Sequence, residues 1–421
     1  MKKAILFTFC IFFFVIGICN AQWTLQYGET NVTLYSIYFI DQNLGWSTGW
    51  LQQSYGKVTK TTNGGLNWYS QSIATQYPFS LFFINQYIGW VVGGTGGSTP
   101  PVVKTTDGGI TWVNIYIPGM YNDLYSVFFI NRDTGWAVGS SQRIIKTTNG
   151  GLNWIIQHGG SYYFSSLKSV YFIDQYKGWC VGGDLTYKDT ILSTTNGGVS
   201  WIGQPSVTSN ELESVYFINQ NTGWSVGFNG TVLKTTNSGL NWNFQTIGNY
   251  RLTSVFFANQ NIGWISGLNS AGLIYITSNG GANWFIQYSG GFDLYSVHFI
   301  NQNTAWAAGY GGHILRTTNG GGIVGIQNIS SEIPNQYYIS QNYPNPFNPT
   351  TKIRFALPKN SFVKIAVYDA IGRETTTLVN EQHKQGTYEV DFDGTNFASG
   401  IYFYVMKTES FIDSKKMVLV K

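Results

Sequence analysis

Ser36-Ile37-Tyr38-Phe39-Ile40-Asp41-Gln42-Asn43-Leu44-Gly45-Trp46-Ser47-Thr48-Gly49 decides the fold, because the chain repeats it seven times. A Trp preceded by a small residue recurs at Trp46, Trp90, Trp136, Trp179, Trp224, Trp264 and Trp306, every 40 to 46 residues. A serine stands ten residues before each Trp, at Ser36, Ser80, Ser126, Ser169, Ser214, Ser254 and Ser296. A phenylalanine stands seven before it, from Phe39 to Phe299, and a glycine three after it, from Gly49 to Gly309. Four registers held in phase through seven units are the mark of a repeat architecture.

Each unit holds four strand signals. In the first they are Leu34–Ile40, Gly45–Gly49, Lys57–Thr61 and Leu66–Gln71, parted by Asp-Gln-Asn and Thr-Asn-Gly-Gly turns. Four antiparallel strands per unit of about 40 to 45 residues predict a propeller blade. The fold class is therefore all-β, a seven-bladed β-propeller over residues 22–322. The seventh unit lacks its last Trp after Gly322, whereas Gln22-Trp23-Thr24-Leu25-Gln26 matches the fourth-strand pattern of Asn67-Trp68-Tyr69-Ser70-Gln71. The N-terminal strand should complete blade seven and close the ring.

Between the third and fourth strands lies Thr61-Thr62-Asn63-Gly64-Gly65-Leu66-Asn67-Trp68, with copies ending at Trp112, Trp154, Trp201, Trp242 and Trp284. The second copy, Thr105-Thr106-Asp107-Gly108-Gly109-Ile110-Thr111-Trp112, resembles the Asp-box, or BNR, motif of sialidase-like propellers. Asn or Asp accepts bonds from nearby amides, Gly permits positive φ and Trp fills space, so the motif reads as a staple of the fold. Together with the repeated Phe-Ile-Asn-Gln-Asn-x-Gly-Trp, it resembles the photosystem II stability/assembly-factor family over roughly residues 23–322. Assembly factors of that family carry an arginine-rich patch. This propeller has only Arg132, Arg143, Arg251 and Arg316, which argues against a photosynthetic role.

Beyond a linker-like stretch, 323–341, the segment 342–421 opens on Asn342-Tyr343-Pro344-Asn345-Pro346-Phe347-Asn348-Pro349. Strand signals at Lys352–Leu357, Phe362–Asp369, Tyr388–Phe392, Ile401–Lys407 and Lys416–Val420 predict a small immunoglobulin-like β-sandwich. The proline motif, Val367-Tyr368-Asp369 with Gly372-Arg373, Ala398-Ser399-Gly400-Ile401-Tyr402 and the closing Lys416–Lys421 resemble the type IX secretion system (Por) C-terminal sorting domain. That resemblance implies the type IX machinery as a partner through 342–421, and delivery from a Gram-negative periplasm to the outer-membrane surface or the medium. Residues 1–21, with Lys2, Lys3 and the apolar run Leu6–Ile18, read as the signal peptide that export requires. No later stretch is apolar enough to span a bilayer.

Composition narrows the function. Aromatic residues make up 17% of the chain and charged residues only 10%, a strand-forming, core-rich balance. Removing the leader leaves Cys180 alone, so no intramolecular disulfide can form. Residues 22–330 hold 12 Lys or Arg against 11 Asp or Glu, no footprint for nucleic acid. No metal-ligand spacing, phosphate loop or nucleophile motif stands out, so no cofactor and no catalytic residue is assigned. The expected function is a secreted, non-catalytic binding or scaffolding propeller. The alternative is a surface glycan-active hydrolase of sialidase-like propeller type: sialidase chemistry would need three arginines around a carboxylate, a tyrosine nucleophile and an acid, and two-carboxylate hydrolysis a pair facing each other across a cleft.

Antiparallel topology sorts the connections. First-to-second turns and Asp-box turns share one face and are nearly identical in every blade. Second-to-third loops and interblade connections share the other, and they differ. Variable loops on a rigid scaffold are where binding resides. Trp50, Tyr55, Asp184, Asp189 and Arg251 are accordingly the candidate contacts for a glycan or protein ligand. The serine ring reads as tight packing near the channel. The Lys or Arg before five Asp-box turns (Lys60, Lys104, Lys146, Lys234, Arg316) reads as a solvated strand end.

Overall fold

The computed structural model describes residues 23–29, 31–51, 56–94, 102–120, 122–159, 165–184, 189–269, 272–318, 320–321, 327–330, 332–394 and 397–421. The leader at 1–21 and the candidate Tyr55 lie outside them. The chain divides into two compact units, Gln22–Ile323 and one that contains Val324–Lys421.

The first unit is a ring of seven four-stranded antiparallel sheets. Blade one comprises Val32–Phe39, Gly45–Leu51, Gly56–Thr61 and Tyr69–Ile73, from the channel outward. Inner strands of successive blades pack on one another around the whole circle, the last on the first. The fourth strand starts at Tyr69, later than its sequence signal, because Leu66–Trp68 belongs to the Asp-box turn. Blade seven takes Leu294–Phe299, Ala305–Gly309 and Ile314–Thr317 from the end of the repeat and Thr24–Tyr27 from its start. Thr24 lies opposite Arg316 and Leu25 opposite Leu315, so the ring closes through the N-terminal strand.

Each of the four registers has a packing reason. The second-strand Trp lies flat on the Phe of the next blade: Trp46 on Phe83 at 3.6 Å, Trp179 on Phe217 at 3.5 Å, Trp306 back onto Phe39 at 3.4 Å. The Asp-box Trp stands edge-on to the Phe of its own blade, as Trp68 does to Phe39 at 5.9 Å. Trp23 takes this position in blade seven, 5.9 Å from Phe299. The small residue before each Trp is required because the Phe ring covers it; a Cβ on Gly45 would lie 2.5 Å from Phe39. The glycine three residues later sits where a β-bulge brings the inner strand close, and a Cβ on Gly139 would lie 1.8 Å from the Asp123 carbonyl oxygen.

The serines tie blades together. Inner-strand amides that face away from the blade's own ladder need acceptors. Ser36 Oγ accepts from Leu81 N at 3.4 Å, Ser126 from Val170 N at 3.2 Å and Ser296 from Ile37 N at 3.3 Å, with the same bond at Ser80, Ser169 and Ser214. At the junction from blade six to seven, the Thr253 hydroxyl donates to the Leu294 carbonyl at 2.9 Å. The tight-packing reading of the serine ring thus acquires a specific bond.

The second unit is a β-sandwich. One sheet orders Gln327–Ser330, Gly386–Asp393, Thr350–Leu357 and Tyr338–Ile339; the other orders Glu374–His383, Ser361–Tyr368, Gly400–Lys407 and Ile412–Leu419. Ile353, Phe355, Val363, Ile365, Val390, Tyr404, Met406 and Met417 share its core. Three strands differ from the sequence reading. Tyr338–Ile339, within the stretch read as linker, pairs with Thr350–Leu357. Gln327–Ser330, drawn from the stretch read as linker, pairs with Gly386–Asp393. Glu374–His383 is rich in Thr and charge, so its strand signal is weak, yet it pairs along all of Ser361–Tyr368.

Trp23 is the one ring-closing Trp supplied from the far end of the repeat, and it is buried against Phe299 and donates to Gln287 Oε1 at 3.1 Å. Trp23→Ala should cost about 3–5 kcal/mol, read by guanidinium unfolding of the full chain. A loss under about 1 kcal/mol would mean that closure does not depend on this strand.

Candidate functional site

Inner strands run from the variable-loop face to the turn face, so residues before each serine lie nearer the variable mouth of the channel. Three tiers follow. Two residues after each serine comes a belt of rings: Tyr38, Phe82, Phe128, Tyr171, Tyr216, Phe256 and His298. Each touches the next at centroid distances from 4.5 to 6.1 Å, and His298 returns to Tyr38. Burial raises Tyr38 to about 12 and holds His298 down to about 4 despite its bond to the Phe39 carbonyl. This belt stays neutral at ordinary pH and is a structural element.

One residue before each serine the repeat breaks. Tyr295, Tyr35, Phe79 and Tyr125, on blades seven, one, two and three, form a continuous chain of rings at 5.2, 5.4 and 5.2 Å. Blades four, five and six supply Lys168, Glu213 and Thr253 instead. Lys168 Nζ lies 4.4 Å from the Tyr125 ring centroid and 3.4 Å from Glu211. Three residues before each serine comes the rim: Thr33, Tyr77, Asp123, Ser166, Glu211, Arg251 and Asp293. Arg251 pairs with Glu213 at 2.9 Å and covers Phe228. Burial raises Tyr35 and Tyr295, and both also feel the Arg251 charge. The mouth is thus divided, aromatic on blades seven to three and ionic on blades four to six.

The five sequence candidates do not all meet here. Trp50, at the end of the second strand of blade one, lies 5.4 Å from Tyr77, which stacks toward Phe79; Trp50 therefore extends the aromatic arc. Arg251 is a rim residue. Asp189 is held by the Ser206 hydroxyl in the following interblade segment, and burial pushes its carboxyl up. Asp184 ends a strand opposite Ser165. Sequence reasoning missed Tyr35, Phe79, Tyr125, Lys168, Glu213 and Tyr295. Their signal was a position that varies in chemistry one step from an invariant serine.

The opposite face is consumed by the fold. The amide of the first Asp-box glycine donates to its own blade's first turn, as Gly64 N does to the Asn43 carbonyl at 2.8 Å. Its carbonyl accepts from the preceding blade's Trp, as Gly64 O does from Trp306 Nε1 at 3.0 Å. The cations before the boxes are not merely solvated ends. Lys60, Lys146 and Lys234 each donate to the next blade's glycine carbonyl at 2.7 to 2.8 Å and lie over the Trp of their own blade. Exposed aliphatics on this side, Leu66, Ile110, Leu152, Val199 and Leu240, occur once in each of blades one to five, scattered in the manner of an ordinary surface.

Among the described residues no group of three or more His, Cys, Asp or Glu side chains could hold a metal ion, and no helix is long and apolar enough to cross a membrane. Cys180 is free and buried.

The geometry defines the class: a seven-bladed Asp-box propeller followed by a small β-sandwich. Residues 341–421 match the secretion system C-terminal sorting domain family, and residues 204–288, in the fifth and sixth blades, match the photosynthesis system II assembly factor YCF48 family. The chain is an assembly-factor-like propeller that carries a type IX sorting domain, which marks it for the cell surface or the extracellular space. Among solved structures, YCF48 bound to D1 peptide is similar at 19% identity and a TM-score of 0.57, over 70% of this chain and 95% of that one. YCF48 from Cyanidioschyzon merolae gives 22% identity and 0.57 over 70% and 98%. The WD40 propeller domain of Doa1 gives 9% and 0.52 over 70% and 96%. These likenesses establish the propeller fold. A comparison with curated proteins gives no match.

The Asp-box staple has a pH signature. Asp107 accepts from the Thr111 hydroxyl and amide, the Thr105 hydroxyl and the Ile110 amide, and these bonds, Thr111 first, hold it at about 2. A carboxyl depressed in the fold contributes stability that is complete above its unfolded value of about 3.9 and is lost as pH falls through the folded value. Other boxes use Asn at this place with the same amide bond, as Asn63 does to Asn67 N at 2.9 Å. Asp107→Asn should therefore leave the neutral-pH melting temperature nearly unchanged and flatten its fall between about pH 4 and pH 2. Identical acid profiles for both proteins would show that Asp107 has no such role.

Proposed function

We propose that the protein is a non-catalytic binding propeller, displayed outside the cell through its sorting domain, that holds a polypeptide partner at the variable-loop mouth of its channel. One observation carries this reading. The turn face spends its polar groups on bonds between blades, whereas the mouth breaks the repeat in two successive tiers. Uniform positions serve the ring; divergent positions on a rigid scaffold serve recognition. A peptide is the bound partner named for one of the similar propellers, which supports a polypeptide here. Glu211 and Glu213, the carboxylates of the ionic half's two tiers, are engaged by Lys168 and Arg251, which supports binding over the acid and base pairing of a glycosidase.

The test uses the full chain on intact cells. Deleting 342–421 should abolish its appearance at the surface. A photoreactive phenylalanine analogue replacing Trp50 should capture a polypeptide there, while the same group replacing Leu152 on the turn face should not. Equal capture at both positions, or capture of carbohydrate alone, would overturn the assignment.

A further inference from the structure

The mouth also limits the chemistry of its ligand. Its first two tiers hold four carboxylates, Asp123, Glu211, Glu213 and Asp293, against two cations, Lys168 and Arg251. Both cations lie on the ionic half, tied to Glu211 and Glu213. Asp293 acts electrostatically on Tyr295, and Asp123 on Tyr125, so carboxylates stand at the two ends of the aromatic arc. The arc itself is four rings in contact, extended at the rim by Tyr77 and Trp50. Ring faces backed by negative charge are attractive to cations, and more so when partly desolvated. The structure already shows the interaction at one end, where the Lys168 ammonium lies 4.4 Å from the Tyr125 centroid.

We infer that the mouth recognises a lysine or arginine side chain of an extended polypeptide, laid along Tyr295, Tyr35, Phe79 and Tyr125 between Asp293 and Asp123. This deepens the proposed function and rests on its choice of face. Arginine suits the site better than lysine, since its planar guanidinium stacks on rings and is more weakly hydrated. An acidic segment would meet a net negative rim with its cations already paired. The belt of rings below the arc is uncharged, so charge recognition is confined to the two upper tiers.

Fluorescent hexapeptides alternating Gly with Arg, Lys, Glu or Ser serve as probes for the full-length secreted protein. The Arg peptide should bind saturably and most tightly, the Lys peptide more weakly, and the Glu and Ser peptides at least about tenfold more weakly than Arg. Raising the salt should weaken Arg binding. Tyr35→Ala and Asp293→Asn should each raise its Kd by about fivefold or more, and Tyr35→Phe, which keeps the ring, should restore it. Circular dichroism melting confirms that each variant is folded; if Tyr35→Ala melts early, Phe79→Leu takes its place.

Each outcome decides something. Saturable binding of the Glu or Ser peptide, or of an oligosaccharide, that Tyr35→Ala abolishes overturns the cation inference and leaves the variable face as the binding face. Arg-peptide binding that survives Tyr35→Ala and Asp293→Asn but is lost on Leu152→Lys overturns both. No saturable binding of the Arg peptide overturns the cation inference alone.

Discussion

One residue per blade holds this ring together. The first Asp-box glycine donates its amide to the first turn of its own blade and offers its carbonyl to the Trp of the blade before it. Both bonds require the backbone at positive φ, near 70° at Gly64, Gly150 and Gly280, a conformation that glycine adopts without strain. Everything else in the interface follows from fixing that indole. Its plane then lies on the neighbouring Phe, its edge is covered by a Lys or Arg, and the Phe in turn receives the Asp-box Trp edge-on. Since neither blade of a pair can bury these rings alone, the units are stable only as a closed set.

The exceptions show how tightly that constraint binds. Blade five has Ser238 where the glycine belongs, and it is held at φ 67°. Its carbonyl still accepts from Trp179 at 3.0 Å. The strain is offset locally: the Ser238 hydroxyl donates to the Gln220 carbonyl at 2.7 Å and accepts from Lys177 at 2.9 Å. Lys177 lies over Trp179, the place that Lys60 takes over Trp46, while the third strand of its own blade has Ser193 in that register. Two departures from the repeat, in adjacent blades, thus compensate each other through one bond.

The same logic explains what could be read without a structure. Blade number, the closing role of Trp23 and the structural character of the Asp box were legible because each is a repeated residue with a fixed packing task. The role of the serines was legible as crowding, but not as a bond, because the bond joins residues some 45 positions apart, as with Leu81 and Ser36. Lys60 and its counterparts were misread as solvated because sequence shows a strand end and not the neighbouring Trp edge it covers. Glu374–His383 was missed because alternation is weak in a Thr-rich edge strand. In the mouth, Trp50 and Arg251 were found as oddities, whereas the arc was not. Tyr35, Phe79 and Tyr125 look like ordinary strand aromatics until the ring places them side by side.

Repetition and recognition therefore occupy different registers of the same strand. The divergent Tyr35 and Lys168 stand one residue from Ser36 and Ser169, whose hydroxyls accept from the next blade's Leu81 and Val215 amides. The inner strand varies in its upper tiers while the serines and the rings below keep the ring closed, except at blade six, where the upper-tier Thr253 itself bonds to Leu294 of the next blade. That separation is what allows seven near-identical blades to present an aromatic half and an ionic half around one channel.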